Sequence, residues 1–583
     1  MLLTLLFIAI GALRIGVTWP VFTHTYDEPA HLATGIEWLD RGTYRHEPQH
    51  PPLARVALAL GPWLDGLRAE RPAPHASSPS RPAEMWFEGG ALLHGRGEYQ
   101  RTLTLARAGI LPFFVLAAAL VWWWTQRQAG PWAACIATGL FSTLPVILGH
   151  AGLATTDMAF TAVFLFAILA LRRWLEAPGT GTVIMLGIAV ALAVLTKFTV
   201  FPFFGACLLA ILAWRFLLAR RGGAVADAGW WRPLRSLPLG ILVGFVTVWA
   251  GYRFSLIPLS DIRDLVHLTI DSALRPGAPR DAARRLADTP IPLAELVYGL
   301  ATVAKHSAGG HLSYLLGEYR EGGWWQFFPV AVLVKTPLAF LLLAGAGIGA
   351  LLGASWRRRD WRIAVPALCV IAIMASVLPS RINIGVRHVL PIFPFLAIAA
   401  GIAAVRIIEQ FRRARLGVIA VAALLAWHVA SGARAGHDQL TYFNELADRA
   451  PERVLLISDL DWGQDVHRLA DVLRALNADS VAVFLLGQCD GLVSYDLSRH
   501  GLPPATLFLP GTAPRGHVAV SMAALMSPQL AWLRAQEPVA TAGRSIRVYR
   551  VTDPPVPGPA PSVPCGVMGV RNDPLAGWVT PSR

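Results

Sequence analysis

The 583 residues are 54% hydrophobic and only 15% charged, whereas soluble globular domains carry about 25% charged residues. That composition excludes an ordinary soluble domain and marks a polytopic membrane protein. The formal net charge of +14 would suit a nucleic-acid binder, but the basic residues gather in short loops between apolar spans, where they report topology.

The first apolar span, 2–21, has about the ~20 residues needed to cross a bilayer. It lacks a basic leader and a small-residue cleavage site, so it is expected to be a retained anchor. Tyr26-Asp27-Glu28 follows almost at once. Two adjacent carboxylates at a membrane surface are costly unless they are used; the plain alternative is a chance acidic pair in an exposed loop. The loop 22–103 is expected to hold two amphipathic helices on the membrane surface, His31–Leu39 and Leu53–Leu64, and a mobile Pro/Ala/Ser/Arg stretch between Arg68 and Arg81. His50-Pro51-Pro52-Leu53 opens the second helix, which favours a structural role for His50.

Further apolar spans fall at 104–125, 131–149, 157–175, 182–197, 198–218, 236–254, 329–353, 363–379, 386–407 and 416–432, giving about eleven transmembrane helices. Four basic loops, around Arg172/Arg173, Arg215–Arg235, Arg357–Arg362 and Arg406–Arg415, lie on one side if the spans alternate. The positive-inside rule makes that side cytoplasmic. The N-terminus is then cytoplasmic, and the loops 22–103 and 255–328 and the C-terminal part are extracytoplasmic.

Asp157 opens the span at 157–175 on the same outer face as Asp27. Thr156 or Asp157 would serve as a helix cap, or two carboxylates meet in a pocket where one acts as base and the other orients or stabilises charge. Three lysines, Lys197, Lys305 and Lys335, stand among 51 Lys and Arg residues. Lys197, Lys335, Arg381, Arg387 and His388 collect toward the outer face, with Arg14 in the outer half of the first span. Cations there either face a phosphate or snorkel to headgroups. Trp324 and Trp325 on an outer loop are interfacial anchors or contacts for a sugar ring or isoprenoid.

From about Ala433 the hydropathy falls. Strands are expected at 454–457, 481–486, 517–521 and 545–551, with a helix over Asp465–Leu476. This predicts an α/β domain over 433–553, followed by a Pro-rich, disordered tail over 554–583. The acidic run Asp459–Asp465 suggests calcium but lacks EF-hand spacing, so a helix-capping turn is the expectation. Cys135, Cys207 and Cys369 lie in apolar spans as packing residues, while Cys489 and Cys565 would pair only in an oxidising compartment.

Taken together, residues 1–430 resemble the GT-C superfamily of membrane glycosyltransferases, most nearly the branch with protein O-mannosyltransferases, the aminoarabinose transferase of lipid A and rhizobial lipopolysaccharide transferases. The resemblance rests on the order and sidedness of Tyr26-Asp27-Glu28, His50-Pro51-Pro52-Leu53, Asp157 and Thr196-Lys197-Phe198. Arg387-His388-Val389-Leu390-Pro391, Tyr442-Phe443-Asn444-Glu445-Leu446 and Leu460–Asp465 resemble a bacterial subgroup. It implies a mostly α fold, a transmembrane domain over 1–432, and a bacterial inner-membrane location. It also implies inverting transfer of a sugar from a polyprenyl-phosphate donor to an extracytoplasmic glycan, lipid or protein acceptor.

Asp27 would be the general base with Glu28 its understudy, and Asp157 would support base or acceptor. Lys197, Lys335, Arg381, Arg387 and His388 would meet the lipid phosphate. No cofactor is expected to be required; a divalent metal on Asp27, Glu28 and Asp157 stays open but unsupported. The competing expectation, a transporter or flippase of lipid-linked glycans, calls for mid-membrane polar residues and inverted halves, and neither pattern is evident.

Overall fold

The computed structural model describes residues 1–69, 84–221, 232–262, 265–411, 415–486, 497–508 and 512–553. Cys489, Cys565, most of the Arg68–Arg81 stretch and the 554–583 tail lie outside the described residues.

The chain is mostly helical. Among the described residues, seven helices are long and apolar enough to cross a membrane: Tyr99–Thr143, Asp157–Glu176, Val200–Ala219, Leu234–Gly251, Leu338–Arg358, Ile392–Gln410 and Leu416–Arg434. Leu2–Gly16, Pro52–Leu64, Thr180–Val194 and Val365–Val377 are shorter apolar helices. Each expected span coincides with an apolar helix or part of one, but the count of eleven is not reproduced. Two expected spans run together in Tyr99–Thr143, which breaks at Gly130 (φ +84°) just before Pro131. Glycine accepts that backbone and proline starts the next helix well.

The expected span 329–353 is also cut. Pro337 forces Thr336 into an extended conformation (φ −123°, ψ 135°), so the helix Phe327–Lys335 stops and Leu338–Arg358 begins anew. Lys335 therefore closes a short helix and is not embedded two turns inside a span. The opened helix end is capped from outside. Asn444 donates its backbone N–H to the Val334 carbonyl and its side-chain amide to the carbonyls of Leu333 and Thr336, which supplies the donors that helix ends lack.

The first of the two expected surface helices is not on the surface. All nine residues of the helix Glu28–Ile36 are buried, and it packs between Pro52–Leu64 and the helix Glu84–His94. The expected amphipathic face was half of the evidence needed, because the opposite face meets protein as well.

In the C-terminal part, a five-stranded sheet has the order Ala505–Leu507, Val481–Phe484, Gly516–Ser521, Ile546–Val551, Ala540–Ala542. The first three strands run parallel and the last two pairings are antiparallel. The helix Val466–Ala475 lies where expected. The strand expected at 454–457 is absent: Leu455 and Leu456 are buried, but the N–H groups of Leu460 and Asp461 both turn back to the Leu456 carbonyl. A short apolar run cannot be told from a buried turn by pattern alone.

This turn presses on the first loop. Thr23 and Tyr26 donate their N–H groups to the carbonyls of Gln464 and Trp462, 3.0 Å each. The sequence 459–465 is thereby a clamp on the segment that holds Asp27. Asp465 precedes the helix Val466–Ala475 without a side-chain capping bond.

Candidate active site

Four charged side chains from four separate segments converge. Asp157 is the first residue of the helix Asp157–Glu176, and Lys197 sits in the turn between Thr180–Val194 and Val200–Ala219. Lys197 Nζ donates to Asp157 Oδ1 at 2.6 Å. Arg387, two residues beyond Gly385 (φ +113°), donates Nη1 to Asp27 Oδ2 at 2.7 Å and stands 3.9 Å from Asp157 Oδ2. The guanidinium carbon of Arg387 lies 4.3 Å from the centre of the Trp462 ring, a cation–π contact that fixes its plane.

Exposure separates the two carboxylates. The Asp157 side chain is 1% accessible, that of Asp27 21%. Thr156, the residue before it, makes no side-chain cap for the helix; the Asp157 charge faces Lys197 and Arg387. Asp27 is the acid that reaches outward.

Glu28, adjacent in sequence, belongs to a different network. Arg107 donates Nε and Nη2 to its two oxygens at 2.8 and 2.9 Å. The N–H groups of Thr25 and Ala154 add 2.7 and 2.8 Å bonds. Burial would push the Glu28 carboxyl up, but Arg107 and these N–H groups hold it below its ordinary value. With its acceptor sites filled, Glu28 braces the loop.

The remaining cations divide. His388 is half-buried beside the cluster, its ring 6.4 Å from that of Phe328. Lys335 is fully buried, donates to the carbonyls of Leu440 and Asp459 at 2.7 and 2.6 Å, and lies over the Phe443 ring. It holds the 459 turn in place. Arg381 is exposed and donates to the Ala308 carbonyl at 3.1 Å. Arg14 donates to the Gly432 carbonyl at 2.8 Å, so it ties two helices together.

Beside the cluster lies a second buried pair. Glu47 is bonded to Arg55, which also donates to His31 Nδ1 at 3.0 Å. Burial opposes the Glu47 charge, yet Arg55 and then His50 take its carboxyl down to about 2. His50 Nδ1 donates to Glu47 Oε2 at 3.2 Å, and its ring sits edge-on to His31. These contacts tie it to the segment just before the helix Pro52–Leu64.

Two participants were not singled out as site residues from the sequence. Trp462 covers Arg387, and Asp459 accepts the Val386 N–H at 3.1 Å while burial pushes its carboxyl up. The signal available was the density of acids and the tryptophan in 459–465, which reads equally well as a turn.

No protein-family model matches the chain, and no curated protein matches its sequence. Among solved structures it is similar to ArnT from Cupriavidus metallidurans bound to undecaprenyl phosphate, at 15% identity and TM-score 0.47, over 93% of this chain and 97% of that one. The apo form of that protein gives 15% identity, TM-score 0.48 and the same coverages. It is also similar to the archaeal oligosaccharyltransferase AglB from Archaeoglobus fulgidus in complex with an inhibitory peptide and a dolichol-phosphate, at 14% identity and TM-score 0.45, over 92% and 72% of the two chains.

Proposed function

We propose that this chain is an integral membrane glycosyltransferase that moves a sugar from a polyprenyl-phosphate donor to an extracytoplasmic acceptor, with inversion. The observation that carries the reading is the Asp27–Arg387–Asp157–Lys197 cluster, with one outward-reaching carboxylate beside two cations at the end of a membrane helix. Asp27 takes the proton from the acceptor hydroxyl as its oxygen bonds to the sugar's anomeric carbon. The bond from that carbon to the phosphate oxygen breaks, and its electron pair leaves with the lipid phosphate. Attack from the face opposite the leaving group inverts the centre.

Arg387 and Lys197 are the cations placed to meet the phosphate, with His388 beside them. Such charges act more strongly in a water-poor site than in bulk water. Asp157 keeps both cations oriented. Lys335 acts at one remove, by holding the 459 turn, and Arg381 would meet only the periphery of the donor. The bacterial inner membrane is the setting, with this site outside. In the helix Asp157–Glu176 the acid stands first and Arg173 is in the last turn, about 24 Å away at 1.5 Å per residue. The separation of Asp157 and Arg173 along this helix supports the sidedness that the positive-inside rule gives.

The test is transfer by purified protein in lipid nanodiscs, offered a panel of polyprenyl-phosphate sugars. Release of free polyprenyl phosphate matched by a product of inverted anomeric configuration is expected for at least one donor. Retention of configuration would remove the single-displacement reading, and binding of donors without any release would remove transfer altogether.

A further inference from the structure

Away from the carboxylate cluster, three histidines distant in sequence meet in the interior. His24 lies three residues before Asp27, His94 ends the helix Glu84–His94, and His500 comes from the C-terminal part. All three are buried, and one ligand-capable atom of each lies within 4.8 Å of the other two. The rings of His94 and His500 are 5.2 Å apart, and each is 6.3–6.4 Å from His24.

We propose that His24, His94 and His500 bind one divalent metal ion of the zinc class, which locks the base-bearing loop to the C-terminal part. Nothing in the spacing 24, 94 and 500 announces such a site; it exists only in the fold. Imidazole nitrogen suits zinc and its neighbours in the first transition row. Nitrogens about 2.0–2.1 Å from a tetrahedral zinc are roughly 3.4 Å apart, so the rings need only small rotations to close on an ion. The fourth position falls to water.

The surroundings have the arrangement that orients metal ligands. His24 Nδ1 is 2.9 Å from the Tyr99 hydroxyl, which also accepts the His24 backbone N–H at 2.8 Å. His500 Nδ1 is 3.0 Å from His467 Nε2. With Nδ1 engaged in both rings, Nε2 is the atom that faces the ion, and the outer partners set tautomer and ring angle. Tyr99 stacks on His94 at 4.7 Å and meets His500 edge-on at 4.8 Å. Arg499 donates to the His94 carbonyl at 2.9 Å, which fastens the two segments next to the site.

This ion would sit apart from the Asp27 cluster, and its role would be to position the segment Thr23–Asp27. It stands whether or not the chain transfers sugars. The experiment uses the full chain, purified in detergent on a tag free of histidine, loaded with zinc, dialysed and analysed for metal. About one zinc per chain is expected, falling to near background in His94→Gln and His500→Gln and unchanged in the exposed-site control His437→Gln. Cobalt in place of zinc should give the absorption bands of a tetrahedral site in the wild type. Removing the metal with a chelator should lower the melting temperature, and zinc should restore it; this readout needs no variant to fold. A wild type that retains no metal above the level of a protein lacking all three histidines would overturn the proposal. So would folded His94→Gln and His500→Gln proteins that keep a full equivalent.

Discussion

Asp27 and Glu28 are neighbours in the chain but face different partners. Asp27 Oδ2 accepts from Arg387 Nη1 at 2.7 Å, while Glu28 Oε1 accepts from Arg107 Nε at 2.8 Å. The first pair is partly exposed and joined to Asp157; the second is 1% accessible on both sides. On the proposed reading, Asp27 serves the chemistry and Glu28 the architecture.

Glu28→Gln should therefore damage the fold more than the reaction. It would leave the Arg107 charge buried without its counter-ion, which costs about 3–5 kcal/mol in comparable cases. Thermal unfolding of the purified variant should show a large loss, and its folded fraction should retain donor binding. A fully stable Glu28→Gln protein would contradict the bracing role.

Asp157 and Lys197 should behave as a coupled pair. Asp157→Asn and Lys197→Met each strand a charge beside Arg387. The double variant strands fewer, so its stability loss should be smaller than the sum of the singles by roughly 1–3 kcal/mol. Denaturation of the four proteins of the cycle measures this, and strict additivity would mean that the 2.6 Å contact contributes nothing.

The pH dependence should carry a mark of the 459–465 turn. Burial pushes the carboxyls of Asp461 and Asp465 up to about 6 from an ordinary 3.8. A raised folded-state pKa gives stability that is complete below the unfolded value and is lost as pH rises through the folded one. The wild type should thus lose stability from this source between about pH 4 and 6. Glu47 works in the opposite sense, but its window lies between 4.5 and about 2. Melting temperatures at pH 5 and pH 7 should differ less in Asp461→Asn and Asp465→Asn than in the wild type. An unchanged difference would show that neither group titrates there.

Added magnesium or manganese should matter little to transfer. Arg387 and Lys197 already stand against the carboxylates, so the phosphate meets protein-borne charge. Rates with and without these ions should agree within about twofold. A strict requirement would place a cation among Asp27 and Asp157 instead.

Much of this arrangement was legible in the chain. The apolar spans and the meeting of Asp27, Asp157, Lys197 and Arg387 follow from composition and order. What escaped was set by tertiary context. The Pro337 break is visible as a proline, but the rescue of the freed carbonyls by Asn444 is not. Glu28 and Asp27 are indistinguishable until Arg107 and Arg387 choose between them. The apolar run 454–457 leads into a turn whose Trp462 lies against Arg387, a contact between residues 75 positions apart that periodicity cannot register.

The central claim is that Asp27 removes the acceptor's proton. The most direct measurement is single-turnover sugar transfer by wild type and Asp27→Asn in the same nanodiscs, with donor binding and melting temperature measured alongside. The variant should bind donor, melt near the wild type and transfer about 10²–10⁴-fold more slowly. Wild-type transfer by a correctly folded Asp27→Asn protein would contradict the assignment of the base.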